Sequence, residues 1–263
     1  MRETLDGFQG GLQIGGRMIT NLRYADDIIL LATSEAELQE LVDRLDRVSR
    51  KYSLLINVDK TKVMASDGIA CGILIQNELL EQVDTFPYLG SLITEDGECT
   101  TEYRTRLNTG QAIGASLQKI RKNHSIPIST KIRLKKALVW FVATNGCESW
   151  TLRKNEEADL DAFEMEGLRK ILRVSRTAKK RNELVLNKGG VKKELLDTVK
   201  ARKLAYYGHT MRKQGSCGER DNALSSTRRR GRPRTAWMDN IKTWTGVTRT
   251  LRGRVDQNDR GQR

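Results

Sequence analysis

The chain has 263 residues, 38% hydrophobic and 30% charged, enough for one large core or two modest ones. Its 47 Lys and Arg against 33 Asp and Glu leave a net charge of +14, which points to a polyanionic partner, nucleic acid before membrane. No apolar run approaches the roughly 20 residues of a membrane span, and the start of the chain carries Glu3 and Asp6 rather than an apolar signal segment.

The four cysteines, Cys71, Cys99, Cys147 and Cys217, form neither a CxxC pair nor a Cys/His cluster. Neither a zinc site nor a disulfide scaffold is supported. Reduced thiols in a nuclear or cytoplasmic protein, not a secreted one, are the expectation.

The first predicted feature is a hairpin. The apolar, β-forming residues 18–22 and 28–32 flank Tyr24-Ala25-Asp26-Asp27, which reads as two strands with a polar turn. Two adjacent carboxylates repel each other and are relieved by a divalent cation. This is the arrangement that a magnesium-dependent phosphoryl-transfer site uses.

A helix over 34–52 follows, with Ser34 as N-cap, Glu37 completing a capping box, and Leu38, Leu41, Leu45 and Val48 at helical spacing. Residues 54–58 read as a strand, 59–62 as a turn, and Val63-Met64 as strand. A second hairpin is predicted around Gln76-Asn77-Glu78. A third runs over 86–93, punctuated by Pro87 and Gly90 and ended by Asp96-Gly97.

From about Thr100 the apolar period changes from two to 3.6. Helices are predicted over 101–121, over 130–143 with Ser129 as cap after Pro127, over 156–173 and over 191–213. Residues 214–235 contain few apolar residues and the run Arg228-Arg229-Arg230-Gly231-Arg232-Pro233-Arg234, which reads as a basic linker. Trp237, Ile241 and Trp244 fit one face of a short last helix. The charge follows the same division. Residues 1–98 hold nine Lys and Arg against seventeen Asp and Glu, a net −8, and residues 99–263 carry +22.

Several motifs in this order resemble the reverse transcriptases of non-LTR (LINE-type) retrotransposons. They are Tyr24-Ala25-Asp26-Asp27, the helix after it, Ile56-Asn57 with Lys60-Thr61-Lys62, and Phe86-Pro87-Tyr88-Leu89-Gly90. The series continues with Gly146-Cys147-Glu148-Ser149-Trp150, Tyr207-Gly208-His209, Gly231-Arg232-Pro233-Arg234 and Trp237-Met238-Asp239. The resemblance runs from residue 12 to residue 246.

It implies an α+β fold. A partial antiparallel palm sheet with one helix occupies 1–98. An all-α thumb and C-terminal region follows over 99–213, and a basic flexible tail with a short Trp-containing helix over 214–263. The activity it implies is nucleotidyl transfer, DNA synthesis on an RNA template from a DNA primer through two metal ions.

The resemblance also assigns roles. Asp26 and Asp27 would be the catalytic pair holding Mg2+. Lys62, with Lys60 beside it, would place a cation near the pyrophosphate leaving group, and strand alternation lets only one of the two face the site. Tyr24, Tyr88 and Gly90 would shape the primer end. Arg228, Arg229, Arg230, Arg232 and Arg234 would neutralise phosphates without reading sequence. The four tryptophans read as core or staple residues, and His124 and His209 as taking no part in chemistry.

In the family an earlier palm carboxylate, the fingers and an endonuclease precede the hairpin, whereas 23 residues precede it here. The expectation is a C-terminal fragment that is catalytically incomplete by itself and binds magnesium weakly. The alternatives are a non-enzymatic RNA- or DNA-binding protein using the basic helical half, or a decayed reading frame.

Overall fold

The computed structural model describes residues 2–5, 7–14, 16–212 and 235–246. It divides into a hairpin unit, Met1–Thr105 with Tyr207–Arg230, and a helical unit, Arg106–Tyr206 with Gly231–Arg263. Strand pairs lie in the first and helices fill the second, so the α+β class holds. No helix among the described residues is long and apolar enough to cross a membrane.

The hairpin unit opens with the short helix α1 (Arg2–Leu5) and the antiparallel pair β1 (Leu12–Ile14) and β2 (Arg17–Ile19). Strands β3 (Asn21–Tyr24) and β4 (Asp27–Leu30) form the next hairpin. Helix α2 (Glu35–Lys51) follows. Ser34 caps it, its hydroxyl accepting from the Glu37 amide at 3.3 Å. The Glu37 carboxylate accepts from the Thr33 amide at 2.8 Å and hydroxyl at 2.6 Å and from the Gly11 amide, and the Ser34 amide also faces it. These donors, the Thr33 hydroxyl first, hold the Glu37 carboxyl below its usual range.

After α2, residues 54–58 are irregular chain, not the strand their composition suggests. The Asn57 side chain accepts from the Lys60 amide at 2.9 Å, and its carbonyl accepts from Thr61. A side chain that closes a turn competes with a strand ladder. Leu54 and Leu55 face water, while Ile56 and Val58 pack on the core.

The remaining strands pair two at a time. β5 (Lys62–Val63) runs parallel to β8 (Glu81–Gln82), whereas β6 (Leu74–Ile75) with β7 (Glu78–Leu79) and β9 (Thr85–Tyr88) with β10 (Ser91–Thr94) are antiparallel hairpins. The core of this unit is small: Val42, Val63, Ile73, Ile75 and Leu80, with Leu30, Leu38 and Cys71 against it. The Leu92 amide donates to Glu102 at 2.8 Å, tying β10 to the start of the next helix.

That helix, predicted as one piece over 101–121, is two: α3 (Thr100–Ser116) and α4 (Gln118–Lys122), with Leu117 between them. The next begins at Ile128, directly after Pro127, so Ser129 lies inside it rather than capping it. It comprises α5 (Ile128–Leu134), a π-helical segment Lys135–Trp140 and α6 (Phe141–Ala143). Helix α7 (Lys154–Leu172) follows, then α8 (Asn182–Gly189), α9 (Leu195–Arg212) and α10 (Trp237–Thr245). Helix α8 was not apparent from the sequence, where eight residues offer too little periodicity. It completes the cluster Ile132, Met165, Leu168, Ile171, Leu172 and Val185.

Two buried polar networks set how these helices meet. In the first, the Glu164 carboxylate accepts from the Glu194 and Leu195 amides at 3.1 to 3.2 Å, capping α9 from α7. Lys135 donates to the Glu164 carbonyl at 2.6 Å. A Cβ on Gly167 would stand 2.5 Å from Lys135 Cε, so a larger residue there would push the Lys135 side chain aside.

In the second network, Asn240 of α10 exchanges two hydrogen bonds with the backbone of Leu152, at 2.8 and 2.7 Å. Lys203, fully buried, donates to Asn240 Oδ1 at 2.8 Å and to the Trp150 carbonyl at 2.7 Å. Its ammonium lies 4.8 Å from the Trp237 ring centre and 5.3 Å from that of Trp244. Ring faces and oxygens together replace the water that burial removes.

Candidate nucleic-acid and metal site

Tyr24 and Asp27 are the last paired residues of the β3/β4 ladder, so Ala25 and Asp26 form a two-residue turn. Ala25 has φ 51°, a left-handed conformation that costs a residue with a Cβ about 1 kcal/mol. Residues opposite one another in an antiparallel ladder share a face. Tyr24, Asp27, Leu22 and Ile29 are therefore on one side of the hairpin, with Asp26 at the tip. Tyr24, Asp26 and Asp27 are all exposed. The sequence thus delivers two adjacent carboxylates to water at the end of a two-stranded ribbon.

That chemistry fits a hard divalent cation, which takes oxygen ligands and keeps water or phosphate in its remaining positions. It fits as part of a ligand set. Among the described residues no group of three or more His, Cys, Asp or Glu is placed to hold a metal ion.

Lys60 sits exposed in the turn after α2. The Lys62 ammonium pairs with Glu81 across the β5/β8 ladder at 2.6 Å, a partner that the sequence did not reveal because parallel pairing brings together residues nineteen apart. Tyr88 is half-buried and closes the β9/β10 hairpin opposite Ser91. Leu89 and Gly90 form its turn with φ 49° and 78°. Positive φ at both central residues is the type I′ requirement, which Gly90 meets without strain. Arg228, Arg229, Arg230, Arg232 and Arg234 lie outside the described residues, as does Cys217.

Trp140 and Trp150 are buried, and Trp237 and Trp244 hold α10 through bonds from their ring nitrogens to the Glu148 carbonyl and to Glu157. Their reading as core and staples agrees with this packing. Cys71, Cys99 and Cys147 are free thiols, and burial pushes Cys147 up to about 11, which makes it a poor nucleophile. The sequence assigns His124 no part in chemistry and does not reveal its neighbours. Its Nε2 lies 2.8 Å from Arg173 Nη1, beside Arg121, Lys122 and Lys170. The available signal was that two neighbouring helices both end in basic residues.

The family model described as reverse transcriptase (RNA-dependent DNA polymerase) matches residues 2–93, a span that includes both the Asp26–Asp27 hairpin and the Tyr88–Gly90 hairpin. A transposon-derived protein of Caenorhabditis elegans is 30% identical over 221 residues, covering 77% of this chain and 75% of the relative. Motif order, hairpin geometry and both likenesses agree: the chain belongs to the reverse transcriptase-related proteins derived from transposons.

Proposed function

We propose that the chain carries the Asp-Asp hairpin, primer-grip and thumb-side portion of a LINE-type reverse transcriptase. Residues 1–98 correspond to palm and residues 99–213 to thumb and C-terminal region. The observation that carries this reading is the two-residue turn presenting Asp26 and Asp27 to solvent, inside the span that the reverse transcriptase family matches. Asp26 and Asp27 would hold magnesium, Asp26 as the direct ligand. Bound magnesium polarises the phosphate oxygens of a nucleotide and the primer hydroxyl. Tyr24, Tyr88 and Gly90 would position the primer end, and Lys60 and Lys62 would stand near the departing pyrophosphate.

By itself the chain holds magnesium weakly and does not polymerise, because two carboxylates are a partial ligand set. Primer extension on an RNA template with magnesium tests this. No incorporation is expected. Robust incorporation that disappears in Asp26→Ala would overturn the inactivity and establish a working site.

A second reading, a nucleic-acid binder without catalysis, is favoured by the net +22 of residues 99–263. The Arg228–Arg234 run would then grip phosphates, and binding would weaken steeply as salt rises. Salt-independent binding would count against it.

A further inference from the structure

Helices α4 and α7 both end in cations. Lys119, Arg121 and Lys122 occupy the last turn of α4, and Arg169 and Lys170 that of α7, with Arg173 at its C-cap. Arg121, Lys122, His124, Lys170 and Arg173 line one concave surface, with no acid among them. Arg173 holds the wall in shape. Its guanidinium donates to the Lys122 carbonyl at 2.6 Å and meets His124 Nε2 at 2.8 Å. A guanidinium can only donate, so that nitrogen is the acceptor of this contact.

Local structure accounts for only part of this charge. Each helix C-terminus contributes roughly half a negative charge, and Glu166 pairs with Lys170 at 2.7 Å. Against the four lining cations, this leaves about two positive charges facing water. Arg169 is turned elsewhere, donating to the Lys180 carbonyl and to Asn182. Arg173 also adopts φ 55° and ψ 42°, a C-terminal position where glycine is the low-strain choice. An arginine there carries a backbone cost and supplies a fixed, planar donor fork in return.

We propose that this cleft binds the phosphodiester backbone of nucleic acid, with Arg121, Lys122 and Arg173 as the phosphate donors. The proposal rests on the reading that this chain handles nucleic acid, and it adds a site within the helical unit separate from the Arg228–Arg234 run. Arg173→Gly relieves the backbone while deleting the donor together with its bonds to the Lys122 carbonyl and His124. The full chain, Arg173→Gly and the triple variant Arg121→Gln/Lys122→Gln/Arg173→Gly would be titrated with a fluorescent single-stranded RNA over a range of salt. Lys154→Gln/Lys188→Gln/Lys192→Gln, three exposed lysines outside the cleft, serves as the charge-matched control for the triple variant, and thermal melts confirm folding.

The expected result is a triple variant that melts like the parent and binds roughly tenfold more weakly. The slope of log affinity against log salt should shrink by about 0.7 for each phosphate of the single strand that is no longer neutralised. Arg173→Gly should reduce the slope by the equivalent of one phosphate, and the control should change it little. A triple variant with the parent's affinity and slope, or a control that falls equally, overturns the cleft alone. A parent chain that binds no RNA at low salt overturns both the cleft and the nucleic-acid reading beneath it.

Discussion

The hairpin unit and the helical unit differ in how well they bury their apolar residues. Among the described residues, the hairpin unit buries seven hydrophobic side chains and exposes twelve large ones, including Met18, Leu22, Tyr24, Ile28 and Leu55. The helical unit buries eighteen and exposes five. Two-stranded ribbons have one packing face at most and are marginal alone, whereas a helix presents its apolar stripe to several neighbours. The Asp26–Asp27 carboxylate pair thus sits on thinly supported ribbons, and the basic residues on a well-packed helical body. Exposed apolar strand faces also make the hairpin unit the aggregation-prone part.

The largest expected effect breaks the stronger side of this contrast. Asn240→Ala removes both bonds to Leu152 and the acceptor for Lys203. It leaves buried backbone groups and a buried ammonium short of partners, at a cost of about 3 kcal/mol. Urea denaturation followed through tryptophan fluorescence measures it, since Trp150, Trp237 and Trp244 surround the network. A loss under about 1 kcal/mol would mean that apolar packing alone holds α10.

A smaller effect separates the units by pH. Burial lowers Lys135 to about 8 from 10.5, against the pull of Glu164, and burial raises Cys147 to about 11 from 9.0. Between pH 8 and 10.5 the unfolded chain holds the Lys135 proton more firmly, so stability rises with pH. Between 9 and 11 the folded chain holds the Cys147 proton more firmly, so stability falls. Stability of the helical unit should rise by about 1 kcal/mol from pH 8 to 9, level off, then decline above 10.5. Cys147→Ala should let the rise continue to 10.5. Hydrogen exchange read at α7 and α9 amides would follow this profile, and amides of the β3/β4 hairpin would not. A flat profile at α7 would show that Lys135 is hydrated.

The same contrast governs what the sequence made legible. The long elements α2, α7 and α9 were readable because their apolar period repeats over four or more turns. The β3/β4 and β9/β10 hairpins were readable from their turn residues. What stayed hidden depends on partners distant in sequence. Residues 54–58 have strand composition, but Asn57 closes a turn instead. Lys62 looked like a free cation until parallel pairing set Glu81 beside it. Lys203 looked like one more basic residue, and only the fold of α10 onto α9 shows it buried between two tryptophans. Asp26 and Asp27 were legible as an acidic pair at a hairpin tip, although Asp27 is the first residue of β4 rather than part of the turn. Their surroundings were not, because neighbours across a sheet leave no mark on local sequence.

The smallest expected effect strengthens the weaker side. In the β9/β10 turn, Leu89 holds φ 49° with an exposed side chain. Its apolar surface gains nothing there, and its Cβ strains the left-handed backbone. Asn-Gly is the preferred pair for such a turn, since asparagine tolerates this conformation. Leu89→Asn should therefore stabilise the hairpin unit by about 0.5–1 kcal/mol, visible as slower exchange of the β9 and β10 amides, with α9 exchange unchanged. If Leu89→Asn instead speeds exchange in β9, then Leu89 packs against something the hairpin needs, and the thinness of this unit is overstated.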